Sequence, residues 1–191
     1  MLGLRTVTNQ EPTYATGADF CRIFEKDMNR LYWLSFLLTG DHSMAEKCFV
    51  RGLDDSGKGN SVFKEWAQSW ARRTIIQNAI QMIRPRPTAG STSSSASDRS
   101  ASHATTEPPE MAAIVELPAF ERFAFVMSVL ERYSDQECSL LLDCARGEVI
   151  AARTRALQQI GRSDEHSRRL VSVSFEQQPL RDAPPRLGAS A

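Results

Sequence analysis

Large apolar residues recur at three- and four-residue steps over much of the chain, and no stretch of convincing length alternates with the period of a strand. The first stripe is Phe20, Phe24, Met28, Leu31, Leu34, Ser35 and Leu38, which predicts one helix from Asp19 with a single buried face. Thr39-Gly40-Asp41 breaks it. Asp41 or Ser43 can cap a second helix over about 43–53, with Met44, Ala45, Cys48 and Phe49 on its core side. The polar run DDSGKGN at 54–60 predicts a loop. A third series, Val62, Trp66, Trp70, Ile76, Ala79, Ile80 and Ile83, predicts a long helix over 61–83, with Trp66 in the core. Pro85 and Pro87 stop that helix, because the residue before a proline avoids helical angles. These helices make a first domain, residues 18–84.

The character changes over 85–111. PRPTAGSTSSSASDRSASHATTEPPE is rich in Ser, Ala, Thr and Pro and poor in large apolar side chains. Such a segment cannot bury enough surface to offset its ordering entropy and is expected to be a flexible linker. A second domain follows over 112–161. Pro118 suits a first helical turn, and Phe120, Phe123, Ala124, Met127 and Leu130 continue at helical spacing. Ser134 and Glu137 have the spacing of a capping box, opening a short helix with Cys138, Leu141 and Leu142 inward. Cys144-Ala145-Arg146-Gly147 makes a turn in which Gly147 supplies freedom in φ. The next helix turns Val149, Ala152, Ala156 and Ile160 inward, and Gly161 can end it. Helix, Gly-containing turn and helix form the pattern of a helix-turn-helix, whose second helix is the candidate DNA reader. Residues 162–191 read as a disordered tail. The expected fold class is all-α: two small helical domains joined by a flexible linker, the second ending in the helix-turn-helix.

Composition narrows the function. The 23 basic and 23 acidic residues cancel, which argues against a protein that grips DNA unaided by phosphate attraction. No apolar run reaches the ~18 residues of a membrane span, and the first residues lack the apolar stretch of a signal peptide, so a cytoplasmic protein without membrane insertion is expected. Cys21, Cys48, Cys138 and Cys144 form no CxxC pair and read as small hydrophobes rather than metal ligands. There is no Gly-rich phosphate loop and no plausible triad, and His42, His103 and His166 stand in polar surroundings. Neither an enzyme nor a bound cofactor is expected.

Two surfaces carry residues suited to nucleic acid. On the third helix Arg72, Arg73, Gln77, Asn78, Gln81 and Arg84 interleave with Trp66 and Trp70. Arginine binds phosphates, amides read base edges and indoles stack on unpaired bases. On the reader helix, Thr154, Arg155 and Gln158 point outward with Gln159 near the edge, all four suited to phosphate or base-edge contacts, and Arg153 lies near the inward stripe, its stem covered and its charge in solvent.

Several weak motifs occur in one order. LYWLSFLLTGDHSMAEKCF at 31–49 is followed by Trp70 and Asn78, then by LPAFERFAFVMSVLERYSDQEC at 117–138, then by Gly147, Val149, Arg155 and Ala156. In these the chain resembles the two-domain bacterial RNA polymerase sigma factors of the extracytoplasmic-function type. The resemblance implies a polymerase subunit whose first domain docks on the core enzyme and melts the −10 promoter element, while the helix-turn-helix reads the −35 element. Its implied partners are core RNA polymerase, promoter DNA and, as often in that family, an anti-sigma factor. It places polymerase contacts on Glu46, Lys47, Val50 and Arg51. Lys47 and Val50 stand where the family usually has an acidic residue and a glutamine, and Glu148 and Ala152 replace a usual threonine and arginine. Those departures suggest an alternative, a degenerate sigma-like interaction adaptor; a stand-alone helix-turn-helix regulator is a third reading, against which the acidic balance of the second domain speaks.

Overall fold

The computed structural model describes residues 13–58, 61–87 and 109–176, with side chains over 13–58, 61–87 and 111–163. The fold is all-α. Among the described residues there is no strand, only an isolated bridge between Tyr14 and Phe63. Most of the expected linker, 88–108, and the last part of the expected tail, 177–191, lie outside the described residues.

The first stripe forms two helices, not one: α1 (Gly17–Lys26) and α2 (Met28–Thr39), which meet at Asp27. Thr16 and Asp19 cap α1 with a reciprocal capping box. Asp27 leaves helical geometry at φ −103°, ψ 19°, and its carboxylate accepts a 2.6 Å bond from Gln68. The break turns Met28 out to solvent, while Phe20, Phe24, Leu31, Leu34 and Leu38 stay buried. Helix α2 ends at Gly40, whose φ of 73° lies in the left-handed region that glycine adopts without strain.

Asp41 caps the next helix through a 2.8 Å bond from the Met44 N–H. That helix, α3 (His42–Lys58), absorbs most of the segment expected to loop. Its inner face carries Ala45, Cys48, Gly52 and Ser56. Gly52 is required by close approach: a Cβ there would stand 2.8 Å from Cγ1 of Ile75. The small face therefore brings α3 hard against α4 (Ala67–Ile83), which buries Ala71, Ile75, Ile76 and Ala79. A short 3-10 turn, Lys64–Trp66, precedes α4. Trp66 sits in that turn and is 59% exposed, so it is not core as expected. After α4, Arg84 takes a left-handed φ of 50° ahead of Pro85.

Past the undescribed segment come α5 (Pro109–Val115) and α6 (Ala119–Phe125), with Pro118 at the N-cap of α6. Helix α6 runs on as a π-helical turn, Val126–Leu130, closed by a 2.9 Å bond from the Glu131 N–H to the Val126 carbonyl. The wider turn advances each residue by less than the usual angle. Val126 and Met127 are consequently buried, and Leu130, expected inward, is exposed.

The helix-turn-helix consists of α7 (Asp135–Leu142) and α8 (Arg146–Glu176). The Ser134–Glu137 capping box is present in full. Its two bonds from the Ser134 N–H and hydroxyl lower the Glu137 pKa. The turn departs from expectation, because the left-handed residue is Asp143, at φ 51°, and Gly147 lies inside α8. The first turn of α8 is closed instead by Glu148, which accepts a 2.7 Å bond from the Ala145 N–H. Nor does Gly161 end the helix. The backbone stays helical to Glu176, through half of the segment expected to be a disordered tail. A single interior glycine costs a helix only ~1 kcal/mol, too little to terminate one.

The buried side chains of both parts form one hydrophobic cluster. Arg122, on α6 and only 6% exposed, joins them. Its guanidinium donates to the Leu38 and Thr39 carbonyls at 3.3 and 3.2 Å, and to the Val115 and Leu117 carbonyls at 2.9 and 3.4 Å. The first pair are C-terminal carbonyls of α2, which a helix leaves without intrahelical donors. Gly40 leaves the guanidinium its room, since a Cβ there would meet Nη1 at 2.9 Å.

Candidate functional site

The outer face of α3 holds the four residues on which the resemblance places polymerase contacts. With Ala45, Cys48 and Gly52 turned inward, helical geometry puts Glu46, Lys47, Val50 and Arg51 outside, and all four are exposed. Val50 is an uncovered apolar side chain between charged ones. Such a mixture suits a protein partner better than a phosphate backbone. At the start of α3, His42 is exposed but has an aromatic and a hydroxyl neighbour. It stacks on Phe36 with centroids 4.3 Å apart, and its Nδ1 is hydrogen bonded to the Tyr32 hydroxyl at 2.9 Å.

The six residues named on and just after α4 separate into different surroundings. Gln81 and Arg84 are exposed, and Gln77 is half-buried. Asn78 is a correction: it is 4% exposed, and its Nδ2 donates to the Asp55 carboxylate and the Thr74 carbonyl, each at 3.0 Å. Its side chain fastens α4 to α3 and does not present an amide to DNA. Arg72 is drawn to the other part of the chain, where its Nη1 lies 3.5 Å from the Glu131 carboxylate. Arg73 is half-buried beside it.

Arg72 and Arg73 border a cleft of about 520 Å³ between the start of α4 and the segment after the π turn. Phe63, Trp66, Trp70 and Tyr133 supply its aromatic lining, and Glu131, Arg132 and Glu137 its remaining charged groups. The π turn helps to place this rim, with the Tyr133 N–H bonded to the Met127 carbonyl at 2.9 Å and Arg132 held at a φ of 60°. Burial raises the Tyr133 pKa, so its hydroxyl is neutral at pH 7. The indole Nε1 of Trp70 is buried without an acceptor. The sequence singled out Trp66, Trp70, Arg72 and Arg73 on one wall but not the cleft, since the other wall stands some 60 residues away in the chain.

On α8, Val149, Ala152 and Ala156 are buried as the stripe requires. Thr154, Gln158 and Gln159 are exposed, with the Thr154 hydroxyl donating to the Ile150 carbonyl. Arg155 is half-exposed and bound to a buried acid: its Nε and Nη2 lie 3.0 and 2.9 Å from Oε1 of Glu121. The other oxygen of Glu121 is buried without a partner. Arg153 pairs with Asp135 at the start of α7, so its charge is not left to solvent alone. Ile150 and Leu157 are exposed on α8 as well, and the open face of the helix is partly apolar.

Sequence reasoning missed Glu121 and Arg122. Two adjacent charged residues on a helix suggest a solvated face, yet both are buried. The available signal was their position inside an otherwise unbroken apolar run, FERFAFVM. A scan against protein-family models returns no match for the chain, and a search of curated proteins returns none either. Among the described residues no helix is long and apolar enough to cross a membrane.

Proposed function

We propose that this protein is a promoter-directing subunit of RNA polymerase, a sigma factor of the extracytoplasmic-function type acting in the cytoplasm. The observation that carries the reading is the pair of surfaces in one chain: a mixed charged and apolar face on α3, and a capped helix-turn-helix, α7–α8, with polar residues outward. Glu46, Lys47, Val50 and Arg51 contact the core enzyme. Arg73, Gln77, Gln81 and Arg84 serve the melted strand, and Thr154, Gln158 and Gln159 the upstream element. The protein is then not an enzyme by itself and needs no cofactor.

The −10 and −35 elements lie roughly 85 Å apart at about 3.4 Å per base pair. A compact chain of this size spans about half of that. The two parts must therefore separate to read both elements, breaking the Arg122 bonds and the Arg72–Glu131 pair. An anti-sigma partner would act by opposing that separation.

Reconstituted core polymerase in a pull-down tests the reading. The wild-type chain is expected to bind, and Lys47→Asp/Val50→Gln to bind several-fold more tightly, because it restores the acid and amide of the resembled family. Failure of both chains to bind core polymerase would sink the proposal.

One alternative rests on its own observations. Ile150 and Leu157 exposed on α8, with Arg155 committed to Glu121, suit a sigma-like adaptor that docks on protein instead of DNA. Polymerase binding without a promoter footprint would favour it.

A further inference from the structure

The cleft between α4 and the π turn combines features that polymerase docking does not use, and of the residues assigned above to the melted strand it takes in Arg73 alone. Its volume of about 520 Å³ falls among those of small-molecule sites, roughly 300–1,000 Å³. Trp66 stands on its lip at 59% exposure, held edge-on by Phe63 with centroids 5.4 Å apart. A large exposed indole is free to stack on a planar ring. Within the cleft the cations outnumber the carboxylates available to them. Glu131 is taken by Arg72 at 3.5 Å, and Glu137 accepts from the Ser134 N–H at 2.8 Å. Arg73, whose charge also acts on Glu137, and Arg132 line the cleft as well, so its three cations exceed its two carboxylates by one. Trp70, also lining it, carries the buried N–H without an acceptor.

We propose that this cleft is a small-molecule site for a planar aromatic ring bearing one anionic group, stacked on Trp66 and held by Arg73 and Arg132. A nucleoside monophosphate and an aromatic carboxylate share that chemistry. Because the walls come from both parts of the chain, binding favours the arrangement in which those parts touch. The ligand thereby keeps Arg72 and Arg73 covered and opposes the separation that promoter reading demands. The binding itself does not depend on the transcription reading.

The test is titration of the full-length, 15N-labelled chain, followed by the indole N–H resonances of Trp33, Trp66 and Trp70. Adenosine monophosphate and 4-hydroxybenzoate are added separately to millimolar concentration, with inorganic phosphate as the control. Saturable shifts of the Trp66 and Trp70 signals, with Trp33 unmoved, are expected. Saturation by the nucleotide alone assigns that source, by the benzoate alone the other, and by both the shared chemistry. Arg73→Ala and, independently, the exposed-site change Trp66→Ala are each expected to weaken binding about tenfold. The proposal is overturned if neither compound saturates, if phosphate alone gives the same shifts, or if both variants bind as tightly as wild type. Polymerase is absent from this experiment, so a negative result leaves the pull-down unaffected.

Discussion

Replacing Arg122 with methionine is expected to lower the unfolding free energy by about 3–5 kcal/mol, more than any exposed-residue change in this protein. Methionine matches the arginine side chain about as far as Nε and keeps its apolar stem. What it removes is the guanidinium that donates to the carbonyls of Leu38, Thr39, Val115 and Leu117. Those acceptors would be left inside the protein without this donor, and the loss falls on both parts at once. Lysine should recover only a fraction, because one ammonium cannot serve four carbonyls in the directions a planar fork allows. Urea unfolding of wild type, Arg122→Met and Arg122→Lys measures this directly. Equal midpoints for wild type and Arg122→Met would show that the clamp contributes nothing.

Arg155→Ala is expected to be the second most damaging change, at about 2 kcal/mol. The side chain of Arg155 is half-exposed, and solvent screening keeps the value below that of a fully buried pair. Most of the cost arises at Glu121, whose side chain is 5% exposed and whose carboxylate would lose its cation. The pair can be separated by a double-mutant cycle. In a Glu121→Gln background, Arg155→Ala should cost well under half as much, since no buried charge is stranded. As an outward residue on the candidate reader helix, Arg155 would be expected to affect promoter binding and leave the fold intact. The structure instead makes stability the first property to fall, and a footprint of that variant has to be read at a temperature where it is folded. An Arg155→Ala chain as stable as wild type would contradict the pairing.

The contrast between these residues and the helical stripes shows what a sequence carries. Val149, Ala152 and Ala156 could be placed inward because a helix repeats every 3.6 residues and neighbours alone decide the face. Ser134 and Glu137 were legible for the same reason: a capping box closes within four residues. The break at Asp27 was hidden, since no glycine or proline marks it and its carboxylate is bound by Gln68, far along the chain. The π turn at Val126–Leu130 was hidden too, and with it the register that exposes Leu130. Gly147 and Gly161 misled in the opposite direction, because a single glycine inside a helix is tolerated.

The candidate site was legible only where local geometry decides exposure. Glu46, Lys47, Val50 and Arg51 follow from the inward positions of Ala45, Cys48 and Gly52 on one helix. Asn78, Trp66 and Arg155 do not follow, because Asp55, Phe63 and Glu121 determine what their side chains do. The cleft lined by Trp66 and Arg73 exists only through the packing of distant segments.

The central functional claim is tested most directly by run-off transcription with reconstituted core polymerase. The template is the DNA upstream of this protein's own coding region, transcribed with and without the protein. The account predicts a transcript with one discrete start that appears only when the protein is present. It also predicts that Gln158→Ala/Gln159→Ala, on the open face of α8, weakens that transcript at unchanged stability. A polymerase that binds the protein yet starts no new transcript, on this template or on a genomic library, would contradict it.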